Sequence, residues 1–167
     1  MDTDSKQEEF VELRREIFDY FMANEPIMAT NMGIHEYDGK LPEGSRESKE
    51  ETIARLTGWL SQLNEINPGE LDQEGKKSLA VGKHLLDLRI FELDTLRLWK
   101  SNPDQPQTIG SSLLPLLKRD FAPLETRLRS AKSRIEAIPR FLENARELVV
   151  DPIELWVKIS RDSLERL

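Results

Sequence analysis

Residues 72–100 read DQEGKKSLAVGKHLLDLRIFELDTLRLWK, and the spacing of their apolar positions decides the fold class. Leu79, Leu86, Ile90, Leu93 and Leu96 return every three or four residues, as one side of an α-helix requires, whereas a half-buried strand would alternate strictly. Leu85, Leu88 and Trp99 fall on flanking positions, so this helix should be contacted from more than one side. Leu occurs 24 times against 16 for Val and Ile together, and this composition favours helices over strands. The expected fold is all-α: one helical domain over residues 1–167, built as an irregular multi-helix bundle of about six to eight helices, several of them started by proline.

The same periodicity places the other elements. A first helix from Ser5 to Asn24 carries Phe10, Leu13, Ile17 and Phe21 on one stripe, with Glu8, Glu12, Arg15 and Asp19 largely opposite. Pro26 to Met32 reads as a short helical turn, with proline at its start and Gly33 just past its end. From Ile34 to Gly44 the composition turns to Gly, Pro and mixed polar residues, which predicts a loop. A second helix starts near Ser45 or Ser48, where Ser48 and Glu51 have the spacing of a capping box. Its apolar face is Ile53, Leu56, Trp59, Leu60 and Leu63, and Asn67-Pro68-Gly69 ends it. Pro103, Pro106 and Gly110 mark a further loop, followed by a buried helical turn over Leu113 to Leu117. Pro123, Pro139 and Pro152 each precede a new helical pattern: Leu124, Leu128 and Ile135, then Phe141, Leu142 and Leu148, then Leu155, Trp156 and Ile159. Trp156, Ile159, Leu164 and Leu167 are still in phase at the last residue, from which we expect the N-terminal part of a longer protein, or a last helix packed on another subunit.

Charge and composition bound the function. With 24 Lys+Arg against 31 Asp+Glu the net charge is −7, which disfavours nucleic acid as a partner. Basic residues do cluster between Lys118 and Arg146, but Asp120, Glu125, Glu136 and Glu143 alternate with them, as in helix-surface ion pairs. The longest stretch free of Asp, Glu, Lys and Arg is 13 residues, Gln105 to Leu117, where a transmembrane helix needs about 20 apolar residues. No membrane partner is expected. An acidic start, Met-Asp-Thr-Asp-Ser-Lys-Gln-Glu-Glu, does not resemble a secretory leader and implies a cytoplasmic location.

The chain has no cysteine, which removes disulfides, thiolate metal sites and a cysteine nucleophile. It has two histidines. His35-Glu36-Tyr37-Asp38-Gly39 gathers an imidazole and two carboxylates, but a zinc-peptidase helix needs His-Glu-x-x-His, and the position four after His35 is Gly39. A tight turn at Asp38-Gly39 with His35 hydrogen-bonded locally is the simpler expectation. A free-standing hydrolase using His35 with Asp38 is the remotest reading. His84, between Lys83 and Leu85, is expected to be a partly buried, neutral, hydrogen-bonded imidazole. In Arg119-Asp-Phe-Ala-Pro-Leu-Glu125, Asp120 is placed either to cap the following helix or to pair with Arg127 in a buried network. No phosphate-binding glycine loop, Gly-x-Ser-x-Gly elbow or Ser-x-x-Lys is present.

Four stretches together carry a family resemblance. They are Pro26-x-x-Ala29-Thr30-x-Met32-Gly33-Ile34-His35-Glu36-Tyr37-Asp38-Gly39-Lys40-Leu41-Pro42, Leu98-Trp99 with Asn102-Pro103, Arg119-Asp120-Phe121-Ala122-Pro123-Leu124-Glu125-x-Arg127-Leu128, and Ala137-Ile138-Pro139-x-Phe141-Leu142-x-x-Ala145-Arg146. In this order the sequence resembles the domain-of-unknown-function family 885, whose full-length members resemble gluzincin-type zinc metallopeptidases. The resemblance implies a mostly helical N-terminal region forming one wall of a substrate channel, with the His-Glu-x-x-His helix in a later part of the protein. It carries no catalytic residue and no metal ligand onto this chain, and zinc would belong to the full-length protein. His35, Asp38, Asp120 and Arg127 are candidates for structural or channel-lining positions only.

The function expected is a non-catalytic scaffold and channel wall of a zinc-dependent peptidase-like hydrolase, partnered by the remainder of its own polypeptide. The alternative is a stand-alone helical interaction or oligomerisation module that pairs with itself. The first requires an open apolar face on the last helix, and the second a self-complementary one.

Overall fold

A computed structural model describes residues 3–103 and 105–165. Among them are seven α-helices and no strand: α1 (Thr3–Asn24), α2 (Pro26–Asn31), α3 (Arg46–Glu65), α4 (Gln73–Ile90), α5 (Gln105–Lys118), α6 (Leu124–Leu148) and α7 (Glu154–Leu164). The expected all-α class is what is found. Two compact units form, Met1–Tyr20 with Lys49–Arg97, and Phe21–Ser48 with Leu98–Leu167.

In the first unit, α1, α3 and α4 share a core of Phe10, Leu56, Trp59, Leu63, Leu79 and Leu86. Trp59 meets Tyr20 edge to face, with ring centroids 5.0 Å apart. The Tyr20 hydroxyl lies 3.0 Å from Thr52 Oγ1, so the aromatic brings its polar end to a partner. Asp72 accepts from the Gly75 backbone N–H as the N-cap of α4. Ser45 Oγ accepts from Ser48 N–H at 3.1 Å, so α3 begins at Arg46 and the Ser48–Glu51 spacing is not the cap.

α4 is shorter than the apolar pattern of residues 72–100. It changes at Phe91 to a π-helical turn, Phe91–Leu96, and Arg97 donates its N–H to the Glu92 carbonyl at 3.1 Å. Arg97 then takes φ 47, a left-handed conformation that its side chain helps hold through a 2.6 Å ion pair with Asp94. Aspartate competes locally for backbone and side-chain bonds, which is a cause of helix disruption that hydrophobic spacing does not register. His84 on α4 is exposed, not partly buried.

In the second unit, α2 ends on a Schellman turn. Gly33 has φ 84, and Ile34 and Gly33 donate to the Ala29 and Thr30 carbonyls at 2.9 and 3.1 Å. Residues that cannot reach positive φ cheaply are excluded there. The predicted loop after it holds a single 3₁₀ turn, His35–Tyr37. α5 takes in both Pro106 and Gly110 and runs to Lys118, so the loop expected over Pro103 to Gly110 is mostly helix. Proline in a first turn costs no hydrogen bond, since that N–H has no helical partner.

Pro139 lies inside α6 and does not begin a helix. Its missing N–H leaves the Ile135 carbonyl without its helical donor, yet the helix continues for nine further residues to Leu148. Packing explains the continuity. Phe141, Ala145 and Leu148 beyond the proline are buried on the same stripe as Ala131 and Arg134 before it, so the helical phase is kept. α7 is tied to the Lys100–Pro103 stretch by Ile153 N–H donating to the Ser101 carbonyl at 3.1 Å and Ser160 Oγ donating to the Pro103 carbonyl at 3.1 Å. The Leu164 side chain and Leu167, expected to extend the phase of the last helix, lie outside the described residues.

Two glycines offer a stability test. Gly44 has φ 69, and a Cβ there would stand 3.4 Å from the Phe141 ring; Gly33 has φ 84 with open space around it. Gly33→Ala should cost about 1–2 kcal/mol, the left-handed penalty alone, and Gly44→Ala should cost more because Phe141 must shift. Equal midpoints for the two variants in urea unfolding would contradict this.

Candidate functional site

The second unit places all four residues singled out from the sequence into two adjoining polar arrays, and its organising residue is one that the sequence reading passed over. The 3₁₀ turn brings His35 Nδ1 to 2.9 Å from Asp38 Oδ2. The imidazole stacks on Phe121, 3.7 Å between centroids and 6° from parallel. A hydrogen bond on one nitrogen and a ring against one face fix the imidazole's orientation. The His35 side chain remains 36% exposed, while that of Asp38 is 7% exposed.

The second oxygen of Asp38 leads inward. Thr30 Oγ1 lies 2.7 Å from Asp38 Oδ1 and 3.0 Å from the Pro26 carbonyl, and Arg134 Nη2 donates to Thr30 Oγ1 at 2.6 Å. A hydroxyl has one proton, and the shorter bond to the charged acceptor takes it, so Thr30 relays between guanidinium and carboxylate. Arg134 Nη2 also donates to the Pro26 carbonyl at 3.3 Å, and Nη1 to the Ser112 carbonyl. Arg134 is fully buried, and its Nε has no hydrogen-bond partner among the described residues. Burial pushes its pKa below the ordinary arginine value, and the nearby Asp38 carboxylate opposes this by favouring the charged form. Arginine stays protonated across the range in which proteins fold, so this charge costs the same from acid to neutral pH and gives no pH dependence of its own.

Two turns earlier on the same side of α6, Arg127 is also turned inward. Its Nη1 donates to the Leu116 and Leu117 carbonyls at 3.2 and 3.3 Å, Nε to the Ala122 carbonyl at 2.8 Å, and Nη2 to Asp120 Oδ1 at 3.1 Å. Leu116 and Leu117 lie in the last turn of α5, where carbonyls lack helical donors, so Arg127 serves as a side-chain cap for that end. Asp120 pairs with it but is 93% exposed against 9% for the Arg127 side chain. The pair is therefore not a buried network, and Asp120 does not cap α6, whose N-cap position is Pro123 with no side-chain bond.

Reading the basic run as surface ion pairs holds for Arg129 with Glu125 and Lys132 with Glu136, and fails for Arg127 and Arg134. The signal that finds them is the seven-residue repeat of α6: Arg127, Ala131 and Arg134, then Phe141, Ala145 and Leu148, are all buried, each set at four- and three-residue steps and the two sets in the same heptad phase. Two arginines occupy positions where such a seam normally holds apolar side chains.

Chemically, a carboxylate-oriented imidazole is half of a general base and needs a nucleophile, a metal or a substrate proton beside it. The residues present do not fit zinc. Among the described residues no group of three or more His, Asp and Glu side chains comes together to hold a metal ion. No helix among the described residues is long and apolar enough to cross a membrane.

No curated protein matches the chain. A solved structure described as that of "a putative lipoprotein of unknown function from Shewanella oneidensis" superposes with a TM-score of 0.79 at 23% sequence identity over 92% of this chain. This chain spans 29% of that protein's length. The likeness shows a shared fold. The family described as "Bacterial protein of unknown function (DUF885)" matches residues 26–165, which include the His35–Asp38 turn and both inward arginines. This chain belongs to the bacterial protein family of unknown function DUF885.

Proposed function

We propose that this chain is a non-catalytic helical scaffold within a longer DUF885 polypeptide, supplying one wall of the substrate channel of a zinc-dependent, peptidase-like hydrolase. The observation that carries the reading is the open side of the last helix. Ser160 holds α7 against its unit through its bond to the Pro103 carbonyl, while Leu155 and Ile159 are 62% and 42% exposed. Apolar side chains grouped on one helix and left to water mark a surface that another element covers. The share of the structural neighbour's length that this chain spans supports the same reading. Zinc and the catalytic base would then come from outside these residues. His35, Asp38, Asp120 and Arg127 would act by holding the wall's shape, His35 at its edge.

The experiment is an assay of peptide hydrolysis with and without added zinc, on the isolated chain and on the gene product read past Leu167. The expected result is no turnover by the chain alone and chelator-sensitive turnover by the longer product. Turnover by the isolated chain that disappears in His35→Ala would replace the scaffold with a free-standing His35–Asp38 hydrolase. A stable oligomer of the chain with no longer gene product would instead favour an interaction module. The cytoplasmic location is carried as part of the proposal, and recovery of the native protein in the membrane fraction would overturn it.

A further inference from the structure

The heptad that buries Arg127 and Arg134 also sets out a second stripe on α6. Leu128, Ile135 and Leu142 repeat at intervals of seven, and Leu124 lies in line with them at the start of the helix. All four are between 37% and 56% exposed. At 1.5 Å per residue, the stripe from Leu124 to Leu142 is about 27 Å long. On a helical projection it lies directly beside the buried seam, so the apolar arc of α6 is roughly twice as wide as the part its own unit covers. Arg129 with Glu125 and Lys132 with Glu136 pair along its polar border, which keeps charge off the stripe.

We infer that this stripe seats an amphipathic helix with leucine-like side chains at heptad spacing, supplied by the portion of a longer DUF885 polypeptide outside these residues. A straight row at heptad intervals is the surface that one helix presents to another. Area argues against a second copy of this chain as the occupant. Half of four leucine-sized side chains is on the order of 300 Å², well short of the roughly 800 Å² per partner that a stable interface buries. A helix tethered in the same polypeptide avoids most of the association cost and can dock on such a narrow stripe. The inference rests on the scaffold reading above and adds to it a specific face and a specific kind of occupant.

The absence of cysteine makes labelling a clean test. Single cysteines at Leu128→Cys and Ile135→Cys probe the stripe, Glu136→Cys is the off-stripe control, and Leu155→Cys reports the open side of α7. Each is reacted with a maleimide in the isolated chain and in the full-length gene product, and a thermal melt confirms folding; Leu128 and Ile135 substitute for each other if one variant does not fold. The expected result is rapid labelling of both stripe positions in the isolated chain, slowed at least tenfold in the full-length protein, with Glu136→Cys unchanged. Equal rates in both forms at Leu128 and Ile135 overturn the inference. If Leu155→Cys is nevertheless protected, the scaffold reading survives and only the α6 face is wrong; if neither position is protected, both fall. Slow, concentration-dependent labelling already in the isolated chain, with a doubled mass, would assign the stripe to self-association and overturn the inference. So would a native product that ends at Leu167.

Discussion

Arg134→Met is expected to lower folding stability by about 3–5 kcal/mol, the range for removing one partner of a buried charged array. The substitution keeps much of the side chain's length and apolar stem, so the loss would come from polar atoms. The Pro26 and Ser112 carbonyls and the Thr30 hydroxyl lose their guanidinium donor, and Asp38 is left buried without the cation that faces it through Thr30. Each stranded acceptor adds a desolvation penalty of about 1–3 kcal/mol unless water enters. The array also predicts a non-additive partner. Asp38→Asn alone leaves Arg134 buried without a counter-charge, whereas the double variant Asp38→Asn/Arg134→Met removes both charges and should cost clearly less than the sum of the two single changes. Urea unfolding of the four proteins measures this cycle. A loss below about 1 kcal/mol for Arg134→Met would show that the guanidinium is dispensable, and strict additivity would show that it does not sense Asp38.

Trp59→Ala is the corresponding prediction for the first unit, at about 3–5 kcal/mol. Trp59 is 3% exposed, with Tyr20 edge-on at 5.0 Å and the Arg55 guanidinium 5.7 Å from its ring centroid. Truncation opens a cavity between α1 and α3 and removes both ring contacts. Trp59→Phe should recover most of the loss, since it refills much of the volume and keeps an aromatic face for Tyr20. Circular dichroism through a urea titration reads the result. A phenylalanine variant no better than alanine would mean that the loss has little to do with the ring.

Why the sequence revealed the helices but not the buried polar array follows from what periodicity measures. α1, α3 and the first part of α4 appear where apolar spacing puts them, because nothing competes with the helical phase there. Gly33 was legible as a helix stop because a positive φ is a backbone demand that few residue types meet. Pro139 misled because the rule for proline is local, whereas the continuity of α6 is enforced by Phe141, Ala145 and Leu148 packing in register beyond it. The π turn at Phe91–Leu96 arises from local hydrogen bonding around Asp94 and Arg97, to which hydrophobic spacing is blind.

Within the candidate site, the local pair was foreseeable. His35 and Asp38 are three positions apart, and their hydrogen bond needs only a turn. Arg134 was not, because its partners Pro26, Thr30 and Ser112 are 108, 104 and 22 residues away. Arginine alternating with glutamate reads as a solvated helix face unless the alanines at heptad spacing are weighed with it. Ala131 and Ala145 leave room for close packing, and the arginine between them goes inside with them.

The scaffold account stands most directly on the size and content of the native gene product. Its mass, determined on protein purified from the source and read together with the coding sequence past Leu167, is the decisive measurement. The account predicts a product much heavier than the 19.3 kDa of these residues, continuing into a helix that bears His-Glu-x-x-His. A native product of 19.3 kDa would contradict it and leave a self-sufficient helical module in its place.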